Sequence, residues 1–114
     1  MSDTKPKELL DQAIRDMAGA FSARLCAIGV ELGIFKDLHQ NGRSTSEQIA
    51  TRMGLNERYL REWLYGIVLS GYVEFDKTTR EAWLSPQQEQ VLVQEGGRFA
   101  QFGTFKLLNS ALLP

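Results

Sequence analysis

The sequence predicts a mainly α-helical fold, a winged helix-turn-helix with a small β-hairpin wing and additional N- and C-terminal helices. Two observations predict it. First, two short helical patterns are joined only by Gly54 and Leu55, and so short a link with a glycine makes the helices cross at a steep angle. Second, two short β-like runs with a polar turn between them follow the second helix. Helix, tight turn, helix and hairpin is the order of a winged helix-turn-helix.

The N-terminal region, residues 1–33, is predicted to be helical because apolar residues recur there every three or four positions. These residues are Leu10, Ile14, Met17, Phe21, Leu25, Ile28 and Leu32. Gly19 could interrupt the pattern and Ser22 could cap a second segment, so two helices are favoured over one. Gly33 ends the region, and a short helical turn is expected around residues 36–39.

The boundaries of the central motif, within residues 34–85, have residues that suit them. Thr45 or Ser46 can accept hydrogen bonds from the first free backbone N–H groups of one helix, and Gly54 can adopt the left-handed conformation that ends it. Asn56 is placed to cap the second helix. The apolar face of that second helix, which should pack on the core, comprises Leu60, Trp63, Leu64, Ile67 and Val68.

The opposite face of the second helix bears on whether its partner is DNA or protein. Its residues are Arg58, Glu62, Tyr65 and Leu69, with Arg61 at the edge. Glu57 lies four residues before Arg61 and can pair with it. A helix that reads the major groove needs donors for base edges and cations for phosphates. Here carboxylates accompany the cations and apolar residues occupy part of the surface, which favours a protein partner.

The wing hairpin is predicted from the β-like runs at residues 72–76 and 82–85. Lys77 and Arg80 lie in the turn between them, where a DNA-binding wing often carries cations. Because carboxylates flank both cations, a solvated turn is favoured over a DNA contact.

The C-terminal region, residues 86–114, is predicted to be a helical extension that leads toward a part absent from this chain. Pro86 opens it, and its apolar residues are Phe99, Phe102, Phe105, Leu108 and Leu112. Such an apolar aromatic helix suggests a piece of something longer, or burial against a partner. Residues 1–114 together are expected to form a single domain.

Composition and charge favour an intracellular protein that does not bind nucleic acid. The chain has 114 residues, a formal net charge of −1 and one cysteine, Cys26. Nucleic-acid modules usually carry a basic excess, and one cysteine excludes an intramolecular disulfide or a multi-cysteine metal site. The sequence shows neither a signal peptide nor a run of membrane-spanning length. A cytoplasmic location is therefore expected.

No catalytic or metal-binding constellation is visible in the sequence. The single histidine, His39, is interpreted as a surface residue, and Cys26 as a small buried hydrophobe. Carboxylates such as Asp37 are interpreted as solvated charges. Trp63 and Trp83 could stack on nucleic-acid bases, but they are expected to pack in the core, with Trp83 in a wing strand that folds against the helix of Trp63.

Four stretches carry a resemblance to a known family. They are Glu31-Leu32-Gly33-Ile34-Phe35 and residues 44–50, 54–64 and 70–74, of which Arg-Tyr-Leu-Arg-Glu-Trp-Leu at 58–64 is the most specific. The region from Gly33 to Leu84 resembles the N-terminal winged-helix domain of class I S-adenosylmethionine-dependent methyltransferases. The resemblance implies a domain that dimerises and closes over the substrate pocket of a following Rossmann-like domain, where a small-molecule substrate and the cofactor bind.

The chain departs from that family where the cofactor would bind. A Gly-rich turn after a first strand and a following acidic residue are both missing, so the chain itself is expected to hold no cofactor, and S-adenosylmethionine is implied only for the absent domain. A homodimer through the terminal helices is expected, with no membrane contact. The candidate dimer or pocket-facing residues are Ile14, Met17, Phe21, Phe99 and Phe102.

Two alternatives remain at the level of sequence. One is a stand-alone winged-helix transcriptional regulator, with DNA contacts through Arg58, Tyr59, Arg61, Lys77 and Arg80. The other is a free-standing module that binds a related enzyme. A continuous positive stripe across the second helix and the wing would favour the regulator, whereas apolar area on the terminal helices would favour dimerisation.

Overall fold

The structure, a computed structural model, describes residues 4–94 and confirms a mainly α-helical winged helix-turn-helix. The elements within this range are α1 (Thr4–Leu32), α2 (Ile34–Asn41), α3 (Ser46–Met53), α4 (Glu57–Leu69), β1 (Glu74–Asp76), β2 (Glu81–Trp83) and α5 (Pro86–Leu92). The predicted apolar stripe that includes Phe99 and Phe102 lies outside the described residues.

The N-terminal region forms one helix, so the prediction of two helices was wrong. Helix α1 runs through Gly19, where the space around the backbone is open. A glycine in a helix costs only about 1 kcal/mol relative to alanine, which a long helix tolerates. Ser22 does not cap a second helix, because α1 continues through it, and its Oγ lies 2.9 Å from the Oγ of Ser70 after α4.

The helix-turn-helix is formed by α3 and α4, and its predicted caps are confirmed. Thr45 Oγ1 accepts a hydrogen bond from the backbone N–H of Gln48 at 3.2 Å, while Gln48 Oε1 accepts one from the N–H of Thr45 at 2.9 Å. Gly54 ends α3 with φ of 67°, and the side chain of Asn56 accepts from the N–H of Tyr59. These reciprocal bonds satisfy backbone donors that a helix start leaves free.

The wing is a two-stranded antiparallel hairpin that is shorter than predicted. Phe75 pairs with Ala82, and Ala82 also bridges to Ser44 through two backbone hydrogen bonds of 2.8 and 3.0 Å. The first strand starts late because the N–H of Tyr72 still bonds to the end of α4. The second ends early because Ser85 caps α5.

The core lies between α4, α2 and the second half of α1, with contributions from α3, the wing and α5. The indole N–H of Trp63 donates to the carbonyl oxygen of Leu25 at 2.8 Å, and the Trp63 ring lies 5.6 Å from the ring of Phe35. Gly29 permits this packing, since a Cβ there would fall 2.5 Å from Phe35 and 2.6 Å from Trp63. The second half of α1 is therefore fixed against α2 and α4.

The first half of α1 is not buried by these elements. Every side chain from residue 5 to residue 21 is exposed, and we call this segment the α1 arm. At a rise of about 1.5 Å per residue, the arm is about 25 Å long.

No single helix among residues 4–94 is long and apolar enough to span a membrane. Helices α1 and α2 reach the necessary length and composition only as a pair bent by 67°.

Candidate protein-interaction surface

The α1 arm presents large apolar side chains to solvent. Ile14, Met17 and Phe21 are 50%, 64% and 63% exposed, and Leu9 and Leu10 are 66% and 59% exposed. The three candidate residues within the described range thus lie on one segment, and all but Leu9 follow the helical repeat of one face. Large apolar side chains grouped in this way mark an interaction surface.

A groove of about 490 Å³ continues from the arm along the junction of α1 and α4. Its lining residues are Phe21, Leu25, Ile28, Leu32, Ile34, Leu55, Asn56, Tyr59, Leu60, Glu62 and Trp63. We call it the α1–α4 groove. Phe21 belongs both to the arm and to the groove, so the two form one continuous apolar surface. Asn56 and Glu62 are the polar exceptions in an otherwise apolar or aromatic lining.

The cations of α4 are accompanied by carboxylates, as the sequence predicted. Arg61 Nε lies 3.8 Å from Glu57, and Arg58 Nε lies 3.7 Å from Glu62. Exposed pairs of this kind add little stability, but each places a negative charge beside a cation that a phosphate would need. Tyr59, the third candidate DNA contact on this helix, lines the α1–α4 groove instead.

The wing cations lie at a second groove, of about 430 Å³, between α4 and the wing. Lys77 and Arg80 share its lining with Tyr65, Val68, Leu69 and Phe75. On the exposed face of α4, Glu62, Tyr65 and Leu69 separate this pair of cations from Arg58. The part of the chain that the structure describes therefore shows no continuous positive stripe along this face.

The wing turn is held by its own hydrogen bonds. Asp76 Oδ1 accepts from the backbone N–H groups of Thr78 and Thr79, which lowers the pKa of Asp76, and Arg43 adds a smaller contribution. Arg80 adopts φ of 62°, and its N–H donates to the Asp76 carbonyl. The turn is thus built by backbone N–H groups that donate to the side chain and to the carbonyl oxygen of Asp76.

His39 and Cys26 both have surroundings that suit a structural role. His39 is exposed, as predicted, and its Nδ1 lies 3.1 Å from Glu89 of α5. Cys26 is fully buried, and burial raises its pKa to about 12, so it remains a neutral thiol. Within residues 4–94, no group of three or more histidine, cysteine or acidic side chains is arranged to hold a metal.

Two residues differ from their sequence interpretation. Asp37 is not a solvated charge, because its side chain is only 12% exposed and Arg52 Nη2 lies 2.6 Å from its Oδ2. This contact joins α2 to α3, and the hydrogen bond raises the pKa of Arg52. Trp83 is half-buried outside the core cluster, and its ring lies under the Arg43 guanidinium at 3.8 Å. Neither partner was apparent from sequence spacing.

The sequence of this chain matches a known family of winged-helix domains. Residues 20–94 match the model of the Rv2258c-like winged HTH domain, which is more than half of the chain. The chain belongs to this family. The match includes Phe21, the whole α1–α4 groove and the wing, whereas Ile14 and Met17 precede it.

Solved structures show the same fold in the N-terminal part of larger proteins. The structure "PigF with SAH" has a TM-score of 0.76 at 18% identity, over 91% of this Rv2258c-like chain and 30% of that chain. An O-methyltransferase family 2 protein from Planctomyces limnophilus DSM 3776, in complex with apigenin, has a TM-score of 0.66 at 23% identity. The match covers 80% of this chain and 26% of that one. The mitomycin 7-O-methyltransferase MmcR has a TM-score of 0.65 at 24% identity, and the match covers 80% of this chain and 27% of that one.

These similarities show the winged-helix fold that this chain shares with the N-terminal parts of the solved proteins. The chain spans less than a third of the length of each of the three solved proteins. Comparison with curated proteins gave no match.

Proposed function

We propose that this Rv2258c-like domain dimerises and caps the substrate pocket of an S-adenosylmethionine-dependent methyltransferase, with the cofactor bound by a separate domain. The observation that carries the proposal is the exposed apolar face of the α1 arm. A cytoplasmic location and a small-molecule substrate belong to the same proposal.

The energetics of the arm support a protein partner. Fully burying one Leu, Ile, Met or Phe side chain is worth about 1.5–3 kcal/mol relative to leaving it exposed. Ile14, Met17 and Phe21 are at least half exposed, so several kcal/mol of favourable burial are unused in the isolated chain. A second copy supplies an equivalent apolar face, because a two-fold interface joins the same patch on both subunits.

The capping part of the proposal is supported by the comparison proteins, in which this fold forms the N-terminal part of a larger chain. The α1–α4 groove of this chain belongs to the dimer part of the proposal. Two of the comparison proteins carry apigenin or mitomycin in their names, which is consistent with small organic acceptors.

Met17→Glu is expected to shift a dimer toward monomer, because the change places a charge in the apolar contact. The dissociation constant should rise at least tenfold, since burying an unpaired charge costs more than the about 1.4 kcal/mol that a tenfold change represents. Sedimentation equilibrium over a dilution series measures it.

Gln12→Glu is the matched control for this change. It adds the same charge to the same exposed helix, but on the face opposite to Met17. The proposal predicts that Gln12→Glu dimerises as the unchanged chain does. Equal weakening by both variants would show that net charge, and not the apolar face, governs association.

The alternative function, DNA binding, is supported by the exposure of Lys77 and Arg80 at the wing. Against it, Arg58 and Arg61 lie beside Glu62 and Glu57, so the α4 surface lacks a cationic excess. We expect Arg58→Ala to change nothing in a fluorescence anisotropy titration with a random duplex at low salt. Binding that falls as salt rises and that this variant weakens would favour a regulator instead.

A further inference from the structure

We propose that two copies of this chain pair through antiparallel α1 helices, with the two-fold axis at Phe21 and each α1 arm lying along the α1–α4 groove of the other copy. The inference rests on the proposed function and specifies its dimer contact.

The spacing of apolar residues along α1 is symmetric about Phe21. From Leu10 to Leu32 the successive steps are four, three, four, four, three and four residues, and the sequence of steps reads the same in both directions. Their average is close to the 3.6-residue repeat, so all the stripe residues lie along one side of a straight helix. Antiparallel copies therefore place apolar residues opposite apolar residues along the whole stripe.

The second half of α1 leaves this same side open. Around that half of the helix the buried residues are Leu25, Cys26, Ala27, Gly29 and Val30. Ile28 is only partly buried and Leu32 is 50% exposed, and both line the groove. The stripe is thus exposed along the arm and again, in part, at Ile28 and Leu32, while Leu25 is buried at the floor of the groove.

The symmetry assigns specific contacts. In an antiparallel pair with its axis at Phe21, a residue that lies a given number of positions before Phe21 faces the partner's residue that lies the same number of positions after it. Leu10 lies against the partner's Leu32, Ile14 against the partner's Ile28, and Met17 against the partner's Leu25. Phe21 meets the partner's Phe21 at the axis. Each contact occurs twice, as in an isologous interface.

The α1 stripe supplies part of the contact area that a stable dimer needs. From Leu10 to Leu32 the stripe is about 33 Å long, and a helix covers a width of about 10 Å, so the two copies contribute about 660 Å². Tyr59 and Trp63 on the facing wall of the groove extend this area toward the roughly 1,000 Å² of a specific interface.

Site-directed cross-linking tests the register in the full 114-residue chain. Four single variants are made, Leu10→Cys, Leu32→Cys, Phe21→Cys and Gln12→Cys, and each is treated with a short bis-maleimide. The replaced residues are exposed, so folding should be preserved. The native Cys26 is fully buried with a pKa of about 12, so it should not react, and the unchanged chain verifies this.

The proposal predicts that Phe21→Cys cross-links with itself and that Leu10→Cys cross-links with Leu32→Cys only when the two are mixed. Gln12→Cys, on the opposite face, should not cross-link. Light scattering is recorded on the same samples. A dimer without these links, or with Leu10→Cys linked to itself as in a parallel pair, would overturn the register and leave the proposed function standing. A monomer at all concentrations, as when another segment of the same chain covers the stripe, would overturn both.

Discussion

Replacing Ile67 with alanine is expected to lower the free energy of unfolding by about 2–5 kcal/mol. The Ile67 side chain has no exposed surface and belongs to the core cluster formed with α1, α2 and the wing. Its truncation removes apolar contacts and leaves a cavity that the surrounding helices fill only in part. Urea denaturation followed by tryptophan fluorescence measures the change at one fixed protein concentration, because association would also affect stability.

Leu69→Ala provides the matched control for Ile67→Ala. It removes a similar side chain from the same helix two residues later, but Leu69 is 88% exposed. Its expected effect is within about 0.5 kcal/mol. If Ile67→Ala also cost less than about 0.5 kcal/mol, the assignment of this face of α4 to the core would be wrong.

Gly29→Ala is expected to lower the free energy of unfolding by about 1–3 kcal/mol, as overpacked cores do. The new Cβ would lie 2.5 Å from Phe35 Cε2 and 2.6 Å from Trp63 Cζ2, both on buried aromatic rings. Because the Trp63 indole is also hydrogen-bonded to the Leu25 carbonyl, its ring cannot move without losing that bond. Relief of the clash therefore requires α1 to move away from α4.

Gly19→Ala, the same change in the same helix, should have the opposite sign. Nothing lies within 4 Å of a Cβ at Gly19, so the variant should gain about 0.5–1 kcal/mol from helix propensity. Thermal or urea denaturation of both variants tests the pair. Stabilisation by both changes would mean that α1 does not pack closely on Phe35 and Trp63.

The helix-turn-helix could be predicted from the sequence because its signals are local. Thr45 and Asn56 cap the helices that follow them, and Gly54 ends α3, all through contacts within a few residues. The pairing of Glu57 with Arg61 was predictable for the same reason, since residues four apart lie on one side of a helix.

Features that depend on distant parts of the chain were missed. The continuity of α1 was not predicted, because Gly19 is a weak breaker and the partner of Ser22 is Ser70, 48 residues away. The ion pair of Asp37 with Arg52 likewise depends on how α2 lies against α3.

The candidate surface was predicted in part. The apolar stripe that contains Ile14, Met17 and Phe21 followed from periodicity, and it is exposed along the α1 arm. The groove could not be predicted, because it arises where α1 crosses α4. Tyr59 was therefore considered only as a DNA contact, although it lines the groove.

The solution mass of the unchanged chain, measured by light scattering over a dilution series with and without a fluorescent random duplex, tests whether the domain dimerises. We expect a particle of twice the 12.9 kDa chain mass that persists on dilution and does not bind the duplex. A monomer at all concentrations, or a particle that binds the duplex at low salt, would contradict it.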